Sequence, residues 1–264
     1  MSNYRLPLLT LTSLALTTGA ALAAPISLTA LNAVGYTQNF DTLSNTANST
    51  ANDLTLAGWS LIEGGSGPRD NEQYAVDNGA SNTGDTYSYG TAGSSDRALG
   101  SLRSGTLNST FGAGFTNNTG STITSLLISY FGEQWRLGTA GRTDRLDFAY
   151  SLNATDVTNG TWIDADLLDF LTPATAGVGA KDGNAAANRS SISSTLTNLS
   201  ILEGATFWIR WTDFDATGAD DGLAIDDFSI QANGAVANTV PEPAGLALLA
   251  MAAAGAAFSR RRTR

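Results

Sequence analysis

Ile123-Thr-Ser-Leu-Leu-Ile-Ser-Tyr-Phe131 decides the fold class of this chain. Read at the two-residue period of a strand, it puts Ile123, Leu127 and Phe131 on one face and Leu126, Ile128 and Tyr130 on the other. A strand apolar on both faces belongs in the middle of a layered β structure. Leu146-Asp-Phe-Ala-Tyr150 alternates instead, with Leu146, Phe148 and Tyr150 on one side, as a strand with a single buried face does.

Working outward, strands are expected at Val34 to Leu43, Leu54 to Ile62, within Tyr74 to Tyr89, and across Arg97 to Phe115. Asn78-Gly79 and Gly84-Asp85 mark tight turns, and Gly64 to Asp70 is a Gly/Pro turn. Trp162 to Phe170 reads as a further strand or a single helical turn, and Thr172 to Ser191 as one long loop. Ile192 to Ile201, Ala205 to Trp211 and Leu223 to Ile230 complete the set. Many short strands between Gly and Asn turns, with no amphipathic helix, predict an all-β fold, a β-sandwich of jelly-roll type.

Both ends stand outside that pattern. Arg5, the apolar run Leu6 to Leu22 and Ala21-Leu-Ala23 before Pro25 form a secretory signal peptide, residues 1–24; a membrane anchor is the competing reading. At the other end Val240, Pro241, Glu242 and Pro243 form a stiff tetrapeptide, since each proline fixes its φ and removes a donor. Uncharged Ala244 to Phe258 follows, then Arg260, Arg261, Arg262 and Arg264. Fifteen uncharged residues fall short of the roughly 17–25 that span a bilayer, which weakens the alternative of a permanent anchor.

This order of motif, hydrophobic helix and basic stop resembles the PEP-CTERM sorting signal of bacterial surface proteins. The resemblance implies export past signal peptidase and a transient stay in the inner membrane of a Gram-negative-type bacterium. It also implies reading of the Pro-Glu-Pro motif by an exosortase that removes the helix and tail. The expected organisation is a signal peptide (1–24), one β-sandwich domain (25–235; two small domains are the alternative) and a linker with sorting signal (236–264).

Charge and absences narrow the function. Without Arg5 and the four tail arginines nine of 14 basic residues remain, and without Glu242 23 of 24 acids, so the mature domain is near −14. Such a surface repels phosphate backbones, so no nucleic-acid partner is expected, and membrane contact is confined to the tail before processing. The chain has no cysteine and no histidine, which removes disulfides, thiol catalysis, Ser-His-Asp hydrolysis and His- or Cys-ligated zinc.

Carboxylates concentrate at Asp213, Asp215, Asp220, Asp221, Asp226 and Asp227. Asp213-Phe-Asp215-Ala-Thr217-Gly218 repeats the opening of an oxygen-ligand Ca2+ loop, although Ala224 stands where an EF-hand has its bidentate Glu. A structural Ca2+ held by Asp213, Asp215, Thr217, Asp221, Asp226 and Asp227 is one reading, and a solvated acidic turn the other. Leu223 and Ile225 share a parity that Phe228 and Ile230 do not, so a β-bulge is expected at Asp226-Asp227.

Phe40-Asp41, Gly58-Trp59 and Ala224-Ile225-Asp226-Asp227-Phe228 resemble the first and last strands of MAM-type and related carbohydrate-binding jelly rolls. That resemblance implies paired terminal strands, with acidic groups from both holding a structural cation. Glu133, Trp135 and Arg136 form a second constellation, a sugar-stacking platform if Trp135 is exposed and core if it is not. Three functions follow. The leading one is a non-catalytic, surface-sorted protein of the extracellular polysaccharide matrix; a specific carbohydrate-binding module and a carboxylate-dependent glycoside hydrolase are the alternatives.

Overall fold

The computed structural model describes residues 24–31 and 33–234; the expected sorting motif, basic stop and nearly all of the signal peptide lie outside them. In chain order the strands are β1 (Ile26–Leu28), β2 (Ala33–Gln38), β3 (Trp59–Gly65), β4 (Tyr74–Asp77), β5 (Asp85–Tyr89), β6 (Ala98–Leu102), β7 (Leu107–Asn117) and β8 (Ile123–Leu137). They continue with β9 (Arg145–Ser151), β10 (Ile163–Asp164), β11 (Phe170–Leu171), β12 (Gly179–Ala180), β13 (Arg189–Leu196), β14 (Thr206–Asp213) and β15 (Gly222–Gly234). One 3-10 turn, Asp166–Leu168, is the only helical element among the described residues, where no helix is long and apolar enough to cross a membrane.

Two sheets pack face to face as a β-sandwich. The first runs β1-β7-β14-β9-β10, with β3 also on β7 and β11 also on β9. The second runs β12-β8-β15-β6-β5-β4, with β13 also on β8 and β2 on β15. The two-faced strand is β8, which pairs antiparallel with both β13 and β15. Its Leu126, Ile128 and Tyr130 enter the shared core, while Leu127 and Phe131 are half-buried on the outer side. Ile123, expected on the face of Leu127, is also in the core, because β8 carries an extra residue at Thr124 where its register against β15 shifts.

Aromatic rings hold the middle of the core. Trp59 and Trp211 stack at 6.1 Å, and Phe228 meets each edge-on at 5.6 and 5.8 Å. Phe228 reaches that position because β15 shifts register against β8 between Asp226 and Ser229, the bulge read from the parity change. Asp227 takes φ +48° there, so Leu223 and Ile225 before it and Phe228 and Ile230 after it all face inward with no exposure.

Three expectations change in detail. The turns between Tyr74 and Tyr89 do not close a hairpin, because β4 and β5 pair parallel. Trp162 to Phe170 is neither one strand nor one turn, but a short strand, a 3-10 turn and the start of β11. The long loop from Thr172 is broken by β12 and by the first residues of β13.

Candidate functional site

The acidic loop joins β14 of the first sheet to β15 of the second, so it crosses between the sheets and closes no hairpin, and it is organised by two arginines from neighbouring loops. Asp213 ends β14 on the inward parity of Phe207, Ile209 and Trp211, and is 1% exposed. Its Oδ2 accepts from Ser101 Oγ at 2.8 Å, and its Oδ1 has no hydrogen-bond partner. Burial first, and the charge of Asp144 second, push its carboxyl well above the usual range. Arg103 donates to the Asp213 carbonyl at 3.2 Å and pairs with exposed Asp215 at 3.5 Å.

Arg142 lies among oxygens of the same loop. Its Nη1 is 3.1 Å from Asp144 Oδ2 and its Nη2 is 3.5 Å from Asp221 Oδ1. Nε donates to the Thr217 carbonyl at 2.8 Å, and Nη2 donates also to the Ala219 carbonyl. Asp221 is fully buried and further held by Gln134 Nε2 at 2.9 Å and by the Gly138 amide at 2.8 Å. Asp220 and Asp221 are each pushed up to about 6, by burial above all. The guanidinium thus takes two carboxylates and two carbonyls, the kind of oxygens that a hard cation takes.

The six residues proposed for Ca2+ therefore do not converge. Asp213 and Asp221 belong to this network, Asp215 pairs outside it, and Thr217 contributes its carbonyl to Arg142. Asp226 and Asp227 lie farther along β15 with different neighbours. Among the described residues no three acidic side chains are grouped so as to hold a metal ion. Arg142, Asp144, Arg103 and Ser101 were missed by sequence reasoning, because a counterion from a distant loop leaves no local spacing to read.

The second constellation sits on the outer face of the other sheet. Trp135 is 2% exposed and stacks on Tyr89 at 6.0 Å, with Tyr87 5.0 Å beyond. The segment after Thr172 covers it: Lys181 donates its amide to the Trp135 carbonyl at 2.7 Å, and a Cβ on Gly183 would lie 2.4 Å from the indole. Trp135 is thus core of a satellite cluster, with Ala75, Ala98, Leu102 and Ala224, and no open stacking platform. Arg136 is likewise structural, donating to the Gly79 and Ala80 carbonyls at 3.1 and 3.2 Å.

Glu133 is 1% exposed and accepts from Trp135 Nε1 at 3.0 Å. Its other oxygen has no hydrogen bond and faces Arg189 at 3.6 Å. Burial pushes Glu133 up to about 7 against the pull of Trp135 and Arg189. Burial and then the Glu133 charge push Asp226 up to about 8. Asp227, 3.9 Å from Arg189, and Asp96 add negative charge, and Arg189 is the guanidinium that faces Glu133 and Asp227.

Beside the acidic loop lies an open groove of about 550 Å3, lined by Gly141, Arg142, Thr143, Thr175, Phe214, Ala216 and Thr217. Phe214 is 38% exposed and is the only exposed aromatic side chain among the described residues.

Residues 239–262 match the PEP-CTERM protein-sorting motif, over the Val-Pro-Glu-Pro tetrapeptide, the apolar run and most of the basic stop. The chain carries an export and surface-sorting signal. With that signal it is an exported protein targeted to the cell surface. No curated protein matches the chain. Among solved structures it is similar to a family 61 carbohydrate-binding module, TmCBM61, in complex with β-1,4-galactotriose, at 10% identity over 74% of this chain and 99% of that one, TM-score 0.34. A xylan-binding CBM22-1 domain from Paenibacillus barcinonensis Xyn10C is 12% identical over 71% and 93%, TM-score 0.33. The K3 cleaved adhesin domain of Lys-gingipain from Porphyromonas gingivalis is 12% identical over 70% and 100%, TM-score 0.37.

Proposed function

We propose that this protein is a non-catalytic β-sandwich of the extracellular polysaccharide matrix, delivered to the surface through exosortase recognition of its sorting motif and acting there as binding or structural material. The observation that carries the reading is the pairing of that motif with a domain whose densest carboxylates are turned inward onto arginines. A glycoside hydrolase needs an acid that touches the glycosidic oxygen. Glu133, the acid singled out for that role, is buried against Trp135, so hydrolysis is the weakest of the three functions.

The Ca2+ reading of the acidic loop fares differently from its carboxylate count. A cation among Asp144, Asp221 and the Thr217 and Ala219 carbonyls would have to displace Arg142, so we place the arginine, and no Ca2+, at that position.

The test is fractionation of the producing bacterium followed by incubation of the purified exported protein with its own matrix polysaccharide. The protein is expected in the matrix fraction, to lack residues 244–264, and to sediment with the polysaccharide without releasing reducing ends. Release of reducing sugar that disappears in Glu133→Gln would establish the hydrolase instead. An intact Arg264 on surface protein would remove the processing step.

A further inference from the structure

The groove beside the acidic loop has the chemistry of a sugar site. One aromatic ring, Phe214, is open to solvent, and three threonines, Thr143, Thr175 and Thr217, line the same space. A pyranose ring presents an apolar C–H face that packs on an aromatic ring and a rim of hydroxyls that pairs with short polar side chains. The volume, about 550 Å3, falls within the roughly 300–1,000 Å3 range of small-ligand sites.

The segments that form the groove are tied to one another. Phe214 donates its amide to the Arg145 carbonyl at 3.1 Å, and the Arg145 guanidinium lies 3.9 Å from the centre of the Phe214 ring, covering one face. Gly141 donates to the Thr175 carbonyl at 2.9 Å, and Arg142 Nε holds the Thr217 carbonyl at 2.8 Å. A groove fixed before its ligand arrives loses little entropy on binding. The lock also spends the local charge: Arg142 is taken by Asp144 and Asp221, and Arg145 by Asp147. What remains for a ligand is a ring and hydroxyls on a strongly acidic domain, which repels polyanions.

We infer that this groove binds a neutral sugar unit of a polysaccharide chain, with Phe214 as its stacking surface and Thr143, Thr175 and Thr217 as hydroxyl partners. The inference rests on the matrix reading and names its contact site.

Affinity electrophoresis of the full exported protein tests it, in gels holding the neutral polysaccharide fraction of the host matrix, with polygalacturonate as the acidic control. Wild type should be retarded by the neutral fraction, Phe214→Ala should lose about tenfold in affinity as a central contact does, and Phe214→Trp should keep binding. Phe214→Trp keeps a ring under Arg145 and should melt with the wild type, whereas Phe214→Ala, which loses that contact, should melt somewhat lower yet still unfold cooperatively. If wild type and Phe214→Ala are retarded equally, the groove is refuted while the matrix reading stands. If wild type is retarded by polygalacturonate alone, the neutral class is refuted. No retardation in either gel overturns the groove, while absence of the protein from the matrix fraction of the producing bacterium is what overturns the matrix reading.

Discussion

The acidic loop between β14 and β15 and the Glu133–Asp226 cluster are both dense in buried carboxylates, and they are neutralised by different arginines. At the acidic loop Arg142 and Arg103, from two separate loops, reach Asp144, Asp221, Asp215 and the Asp213, Thr217 and Ala219 carbonyls. At the other site Arg189 faces Glu133 and Asp227, with Asp226 and Asp96 close by. Asp220 and Asp221 are pushed up to about 6, and Asp213, which meets Arg103 only through its carbonyl, goes well above the usual range. Glu133 and Asp226 rise to about 7 and about 8, with burial the first cause throughout. Carboxylate density in a sequence marks where charge must be met, and the fold decides whether a guanidinium, a proton or a cation meets it.

The largest effect should come from removing an arginine on the loop side of that comparison. Arg142→Ala leaves Asp144 and Asp221, both buried, without their cation. Breaking a buried pair costs about 3–5 kcal/mol, so at the 2–4 °C per kcal/mol of a domain this size the melting temperature should fall by roughly 10 °C. A fall of only a degree or two in calorimetry would mean that the arginine does not hold the loop.

The cover over Trp135 is the next test. Gly183→Ala puts a methyl against the indole, and overpacking of this kind costs about 1–3 kcal/mol. Lys181, the chain's only lysine, donates from Nζ to the Ala176 and Gly177 carbonyls and lies in the covering segment. A lysine-specific endoproteinase should therefore cut the variant at one place and faster than wild type. Equal cleavage rates would show that contact with the indole does not fasten the segment.

Much of this was legible beforehand. The alternation across Leu126–Phe131 and Leu146–Tyr150 gave strands on the correct faces, because one-sided and two-sided burial write themselves into a two-residue period. The same count puts Ile123 on the wrong face, because the extra residue at Thr124 breaks that period. The parity slip at Asp226-Asp227 located the bulge. The parallel pairing of β4 with β5 was hidden, since turn residues report a local reversal and say nothing about which strand is met afterwards. The burial of Trp135 was hidden too, because its cover arrives from residues nearly fifty positions later. Arg142 and Asp144 carried no motif, and their role exists only once β9 lies beside β14.

A pH series sharpens the contrast between the two sites. Glu133 and Asp226 have folded-state values above the ordinary carboxylate range, so the native state holds protons that the unfolded chain has released. Their stabilising contribution is complete below about pH 4 and is lost as pH rises through about 7 and about 8. Asp85, pushed up to about 8 by burial and by Glu63, adds to the same slope. The melting temperature should fall between pH 5 and 8, and Glu133→Gln should flatten part of that fall. A wild-type stability that rises across this window would contradict the assignment.

The claim that Arg142 stands where a cation would is tested most directly by calorimetry in millimolar Ca2+ and in chelator, on metal-free wild type and on Arg142→Ala. Wild type should melt at the same temperature in both. Arg142→Ala, with the Asp144 and Asp221 carboxylates and the Thr217 and Ala219 carbonyls vacated, should gain stability from Ca2+. At a hundredfold excess over Kd that gain is about 2.7 kcal/mol, or roughly 5–10 °C. A shift of that size in wild type, reversed by chelator, would contradict the account and return the loop to Ca2+.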